Sequence, residues 1–207
     1  MNNLAKIEFI EEPHTYIVDG KEVPSVSAIL QAAGMVNFEG IPADVLEHKR
    51  QFGTAIHKAT ELFDKNELNF KSLTGDLMPY IDAWAKFKKD FDIEIEPENV
   101  ERHFYCREFR YCGTIDRIAF VNGQLSVIDI KTSAALAPSV AIQLAAYANG
   151  IEDVPKPIGR YAVRLSAAGQ YKVEEFTNIA DKYTFFAAVS LYFWRKSKNL
   201  LNANMGA

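Results

Sequence analysis

The chain predicts an α/β fold built around a mixed central sheet, and three observations predict it. Strand-type patterns alternate along the chain with stretches of helical 3.6-residue period, with no fixed repeat and no low-complexity tract. Asn122-Gly123 stands between two apolar runs, the strongest short-range signal for a two-residue β-turn. The runs on either side, 111–121 and 125–131, are apolar on both faces apart from a few charges, as central strands are. With 207 residues and 48% hydrophobic content, the chain can bury a sizeable core. It reads as one domain over 1–207: an N-terminal hairpin-helix extension (1–42), a core (43–177) and a C-terminal helix (178–207).

In chain order, 7–10 and 15–18 read as a short hairpin followed by a turn at Asp19-Gly20. Pro24-Ser25-Val26-Ser27 leads into a short helix through Ala33, closed by Gly34, and this whole segment is expected to pack outside the core. A long helix covers 43–66, opening near Pro42, with Val45, Leu46, Phe52, Ile56, Ala59, Leu62 and Phe63 as its buried positions. It carries Gly53 and His57 one turn apart. A second amphipathic helix, 78–91, places Tyr80, Ile81, Trp84, Phe87 and Phe91 on one face, a pattern of core rather than of a base-stacking platform. Strands follow at 100–105, 111–121 and 125–131, then a helix over 138–149 ending at Gly150. A strand pair at 160–165 and 171–176 turns at Gly169-Gln170, and a last helix spans 179–200.

The Asn122-Gly123 turn sets the register of its two strands. If Val121 faces Gln124, then Phe120 faces Leu125, Ile118 faces Val127, and Asp116 faces Asp129; Lys131 lies on the same face as Asp129. A simple Asp129–Lys131 ion pair would explain Asp-x-Lys, but not a second carboxylate opposite the first in apolar strands. Facing carboxylates repel unless a cation sits between them. Magnesium fits, since one or two carboxylates plus a substrate phosphate suffice to hold it. The Ile130 backbone carbonyl could add an oxygen if the strand bends there. Lys131 would orient or help deprotonate an attacking water, or neutralise a pentavalent phosphate. Phosphodiester hydrolysis is the chemistry this pattern favours.

The series Gly53-Thr-Ala-Ile-His57, Gly113-Thr-Ile-Asp116, Asp129-Ile-Lys131-Thr132 and Gln143-Leu-Ala-Ala-Tyr147 resembles, in order and spacing, the RecB-type branch of the PD-(D/E)XK nuclease superfamily. The opening His14-Thr-Tyr-Ile-Val-Asp-Gly, with Val23-Pro-Ser-Val after it, resembles small phage-encoded exonucleases of that branch. The resemblance implies a restriction-endonuclease-like core and a metal held by His57, Asp116 and Asp129. A histidine ligand makes manganese compatible as well as magnesium. Alone, a helical histidine between Ile56 and Lys58 is more often structural; Gly53 one turn earlier allows DNA or a strand to approach the helix closely. Gln143 and Tyr147, at i and i+4, share a helix face that reads by itself as half-exposed and polar; the resemblance makes it a DNA contact. Glu101 resembles a glutamate of related nucleases, although Glu94, Glu96 and Glu98 lie nearby. The usual proline before Asp116 is absent, as is common in this branch.

The implied activity is exonucleolytic DNA hydrolysis in recombination or repair. The alternatives are a structure-selective endonuclease and a non-catalytic DNA-binding module. By analogy with phage systems, a single-strand annealing recombination protein is an expected partner, and a homo-oligomer is compatible with processive action.

Composition bounds the rest. Net charge is -4, which argues against coating nucleic acid through bulk charge but not against a DNA enzyme. The clusters Lys86, Lys88, Lys89 and Arg195, Lys196, Lys198 are local patches, more often solvated helix faces. Only Cys106 and Cys112 are present, reduced thiols in a strand region: too few for a disulfide framework, and the four cysteines of an iron-sulfur cluster are missing. No phosphate-binding Gly-rich loop is present, which excludes ATP-driven unwinding within the chain. No apolar run suits a signal peptide or membrane span, so a cytoplasmic protein without membrane attachment is expected, in a bacterial or phage-infected cell.

Overall fold

The computed structural model describes residues 5–36, 40, 42–152, 154 and 156–201. Residues 1–4 and 202–207, the outer ends of the predicted extension and C-terminal segment, lie outside the described residues. A five-stranded sheet forms the centre, in the order β4 (Val100–Cys106), β5 (Tyr111–Val121), β6 (Gln124–Lys131), β7 (Gly159–Leu165), β8 (Tyr171–Glu175). The β6–β7 pair is parallel and the other pairs are antiparallel, so the sheet is mixed as expected. A parallel pair needs a crossover connection, and α4 (Ser139–Gly150) supplies it.

Helices cover both faces. α4 packs with α5 (Ala180–Ser197) and α1 (Val26–Ala32) over a core of Ile29, Phe104, Tyr111, Ile115, Ile118, Val127, Leu144 and Phe185. On the other face, α2 (Ala43–Asp64) and α3 (Met78–Asp90) cover Ala119, Val121, Ile128, Ile130 and Val163 with Ile56, Trp84 and Phe87. β5 and β6 are therefore buried from both sides, which is why they read as apolar on both faces.

Two expectations need correction, and one element is added. The N-terminal segment does not stand outside the core. Val26, Ile29 and Leu30 of α1 are buried with the central apolar cluster, and the Cys112 N–H donates to the Pro24 carbonyl at 2.9 Å. A short α1 with only three buried side chains cannot hold its apolar face in water, so it docks on α4 and α5. A third strand, β3 (Lys21–Val23), extends the hairpin of β1 (Ile7–Ile10) and β2 (Thr15–Val18) into a small separate sheet. Val45, expected in the core, is 40% exposed, in an opening stretch of α2 where Ala43 to Gln51 are exposed apart from a half-buried Leu46.

Candidate active site

The β5–β6 turn has the backbone that Asn-Gly demands, with φ of 51° at Asn122 and 77° at Gly123, both in the left-handed region. The register follows: Val121 faces Gln124, Phe120 faces Leu125, and Ile118 faces Val127. Pairing stops at Arg117 and Ile128, one step short of Asp116 and Asp129. There the strands part, and the Ile130 N–H donates to Asp116 Oδ2 at 2.7 Å. The expected direct pairing of Asp116 with Asp129 is thus replaced by a side-chain bond across a splayed hairpin end. Ile130 meets the site through its N–H in this arrangement.

β4 is disturbed at the same level. Val100 pairs with Arg117 and Arg102 with Ile115, while Glu101 between them has φ of 49°. A non-glycine residue in this region carries a conformational cost, of order 1 kcal/mol or more. Ile115 and Ile118 of β5 both reach the core under α4, although strict alternation would send them to opposite faces. The alternation slips at Asp116, facing Glu101, and both carboxylates turn toward α2.

From α2, His57 Nδ1 lies 3.6 Å from Asp116 Oδ2 and 3.8 Å from Glu101 Oε1. The donor atoms of His57, Glu101 and Asp116 all lie within 4.8 Å of one another, a group able to hold a metal ion. Asp129 stands outside that trio. Its side chain is 2% exposed and meets Lys131 Nζ at 2.9 Å through Oδ1 and 2.8 Å through Oδ2. Only Oδ1 receives a well-directed hydrogen bond; Oδ2 is buried without one. Gln143 Oε1 lies 3.4 Å from Lys131 Nζ, and Gln143 Nε2 donates to Tyr147 Oη at 2.7 Å. α4 thereby closes one side of the site with a buried Tyr147.

The two glycines of the motif series differ. A Cβ on Gly53 would meet Thr132 Oγ1 at 3.8 Å, ordinary contact, so the protein's own packing does not require glycine there. A Cβ on Gly113 would come within 2.7 Å of the Phe104 ring and 3.1 Å of Tyr147. Gly113 lets these rings close over β5.

The electrostatics describe a site short of positive charge. Burial raises the Asp116 pKa; Glu101 adds to this, and His57, Lys131 and the Ile130 N–H oppose it. Burial, with the Asp116 charge adding to it, pushes Asp129 up to about 6 against the pull of Lys131. Burial alone would lower His57, but Asp116 and Glu101 outweigh it and raise the imidazole to about 9. Burial likewise opposes charge on Lys131, but Asp129 and Asp116 prevail and hold it as ammonium. A hard divalent cation answers this deficit: His57 offers one nitrogen and Glu101 and Asp116 offer carboxylate oxygens within 4.8 Å of one another, while Asp129 Oδ2 is buried without a directed partner. The residues fit a metal.

Sequence reading missed the residues beneath this site. Arg117 is wholly buried, donating to Asp64 Oδ2 at 2.6 Å, Glu101 Oε1 at 3.0 Å, Thr60 Oγ1 at 3.1 Å and the Asp116 carbonyl at 2.5 Å. Asp64 also accepts from Lys88 Nζ at 2.6 Å and Trp84 Nε1 at 3.1 Å. The signal was present: His57, Thr60 and Asp64 are at i, i+3 and i+7, one face of α2. The predicted basic patches are partly consumed in this way. Lys88 turns to Asp64, Lys86 to Gln170, and Arg195 to the Ala32 carbonyl. Cys106 and Cys112 are free, buried thiols.

No curated protein matches the chain. A family model for the PD-(D/E)XK nuclease superfamily matches residues 71–207, which include Glu101, Asp116, Asp129, Lys131, Gln143 and Tyr147, with His57 and Gly53 just before them. With two thirds of the chain matched and a mixed five-stranded sheet flanked by helices, the protein belongs to the PD-(D/E)XK nuclease superfamily.

Proposed function

We propose that this protein is a metal-dependent deoxyribonuclease of the RecB-type branch that acts as an exonuclease in DNA recombination or repair. Membership of a nuclease superfamily carries phosphodiester hydrolysis with a divalent metal. The observation that carries the reading to these residues is the buried Asp116–Asp129 pair, with the undirected Asp129 oxygen beside Lys131 and with His57 across from Asp116. A bound divalent ion, magnesium with manganese as a substitute, supplies Lewis-acid polarisation of the phosphate and a water of lowered pKa.

Asp116, Asp129 and His57 hold that ion, and the Ile130 carbonyl is the proposed backbone ligand, its N–H being committed to Asp116. Glu101, whose carboxylate groups with His57 and Asp116 within 4.8 Å, offers a further carboxylate to the ion or to water. Lys131, held as ammonium, orients the attacking water and offsets charge on the phosphate in flight. Gln143 and Tyr147 position the strand from α4, and Gly53 leaves the α2 surface open to its approach. The motif series and the opening His14 segment support the exonuclease assignment, phage relationship and annealing-protein partner through resemblance. No helix among the described residues is long and apolar enough to cross a membrane.

Magnesium-dependent digestion tests the reading, comparing wild type with Asp129→Ala and Lys131→Ala on linear duplex and on a covalently closed circle. Loss of product in both variants, with the circle intact, is the expected result. A cut circle assigns an endonuclease, and equal product from all three proteins removes Asp129 and Lys131 from the chemistry. No product from wild type under magnesium or manganese leaves only a DNA-binding module.

A further inference from the structure

One edge of the site carries rings that the proposed chemistry does not use. His103 lies on β4 two residues past Glu101 and pairs across the ladder with Thr114 of β5. The β1–β2 hairpin reaches over both. Tyr16 Oη lies 2.6 Å from Thr114 Oγ1, and His103 Nδ1 lies 2.7 Å from the same hydroxyl. The Phe9 ring sits 4.8 Å from His14, 4.8 Å from Tyr16 and 4.9 Å from His103, centroid to centroid. Tyr16 is buried beneath, whereas His14 and His103 are exposed and Phe9 is half-buried.

The cluster adjoins the metal group: His103 and Thr114, paired across the ladder, stand two residues from Glu101 on β4 and Asp116 on β5. Fixing an exposed imidazole against a hydroxyl costs side-chain freedom and buries little apolar area, so stability gives little reason for it. Glu8 of the hairpin is paired with Lys6, and Glu12 lies within electrostatic reach of Arg50 on α2. Partly exposed rings beside the site suit a nucleobase, which stacks through its π-face.

We infer that Phe9, His14 and His103 form a stacking platform for an unpaired nucleobase of the substrate strand next to the scissile phosphate; this rests on the nuclease reading above. The platform deepens that reading by naming the substrate as a single-stranded or frayed end.

The test is anisotropy of a labelled single-stranded oligonucleotide with magnesium, in a Lys131→Ala background. Adding His103→Ala is expected to weaken Kd about 5- to 100-fold, the range for loss of one stacked base. His103→Phe, which keeps the ring and loses the Thr114 bond, returns Kd to within a few-fold. An abasic oligomer of equal length binds both backgrounds alike, and thermal melting is unchanged in all variants. Equal Kd with and without His103→Ala, or a Phe variant as weak as Ala, overturns the platform while leaving Asp116 and Asp129 untouched. A wild type that neither binds nor cuts DNA overturns the platform and the nuclease reading together.

Discussion

Asp64→Ala tests whether the network beneath the site is built on a buried charge. Asp64 is 5% exposed and accepts from Arg117 Nε at 2.6 Å, Lys88 Nζ at 2.6 Å and Trp84 Nε1 at 3.1 Å. Lys88 keeps a fifth of its side chain in contact with solvent and can turn outward at small cost. Arg117 has no such route, since its side chain is 0% exposed. Removing one partner of a buried pair costs about 3–5 kcal/mol when the other charge is left alone; Arg117 keeps Glu101 Oε1 at 3.0 Å, so the low end, about 3 kcal/mol, is expected. The stranded Trp84 N–H falls within that figure rather than adding to it. For a chain of this size the loss lowers Tm by roughly 6–12 °C, at about 2–4 °C per kcal/mol.

Arg117→Met should cost less, because Asp64 keeps Lys88 and Trp84. The double variant Asp64→Ala/Arg117→Met should be more stable than the sum of the singles by about 2 kcal/mol, since neither charge is then left alone. Urea unfolding of all four proteins closes the cycle, with equal m-values as the check on two-state behaviour. Additivity within about 0.5 kcal/mol, or an Asp64→Ala cost below about 1 kcal/mol, would refute the reasoning.

Other outcomes follow from the site. Saturating magnesium or manganese should raise Tm of the wild type, by about 2.7 kcal/mol of stability at a hundredfold excess over Kd, while Asp116→Asn and Asp129→Asn show little or no rise. The pH dependence of the metal-free protein has a definite sign. With His57 raised from 6.5 to about 9, the folded state binds the extra proton, so its contribution is complete below pH 6.5 and is lost as pH rises through 9. Urea titrations across that window should show falling stability, and a flat profile identical to that of His57→Gln would contradict the assignment. Gly113→Ala should cost about 1–3 kcal/mol by overpacking Phe104 and Tyr147, and it should reduce nuclease turnover as Tyr147 shifts; unchanged Tm would show that the rings have room.

Much of the sheet was legible because its signals are local. Asn122-Gly123 determines a turn through two residues alone, and alternation then carries the register along β5 and β6 to within one pair of the acids. Asp129 and Lys131 share a face for the same reason. The helix of His57 was legible from its period, although Val45 was not, since amphipathic spacing does not say where along a helix burial begins. The docking of α1 escaped because seven residues carry too weak a pattern to show what they pack against.

By itself, then, the sequence determined the order of strands and helices, the hairpin, and the placing of Asp116, Asp129 and Lys131 near one end of it. Those are consequences of backbone periodicity and turn chemistry, which act between neighbours. Only the tertiary structure decided that the hairpin splays at Asp116, that Glu101 turns out of its ladder toward His57, and that Arg117 is anchored by Asp64 from another element. Each of these depends on elements far apart in the chain meeting in a low-dielectric interior. There a buried charge must find a partner wherever the packing puts one.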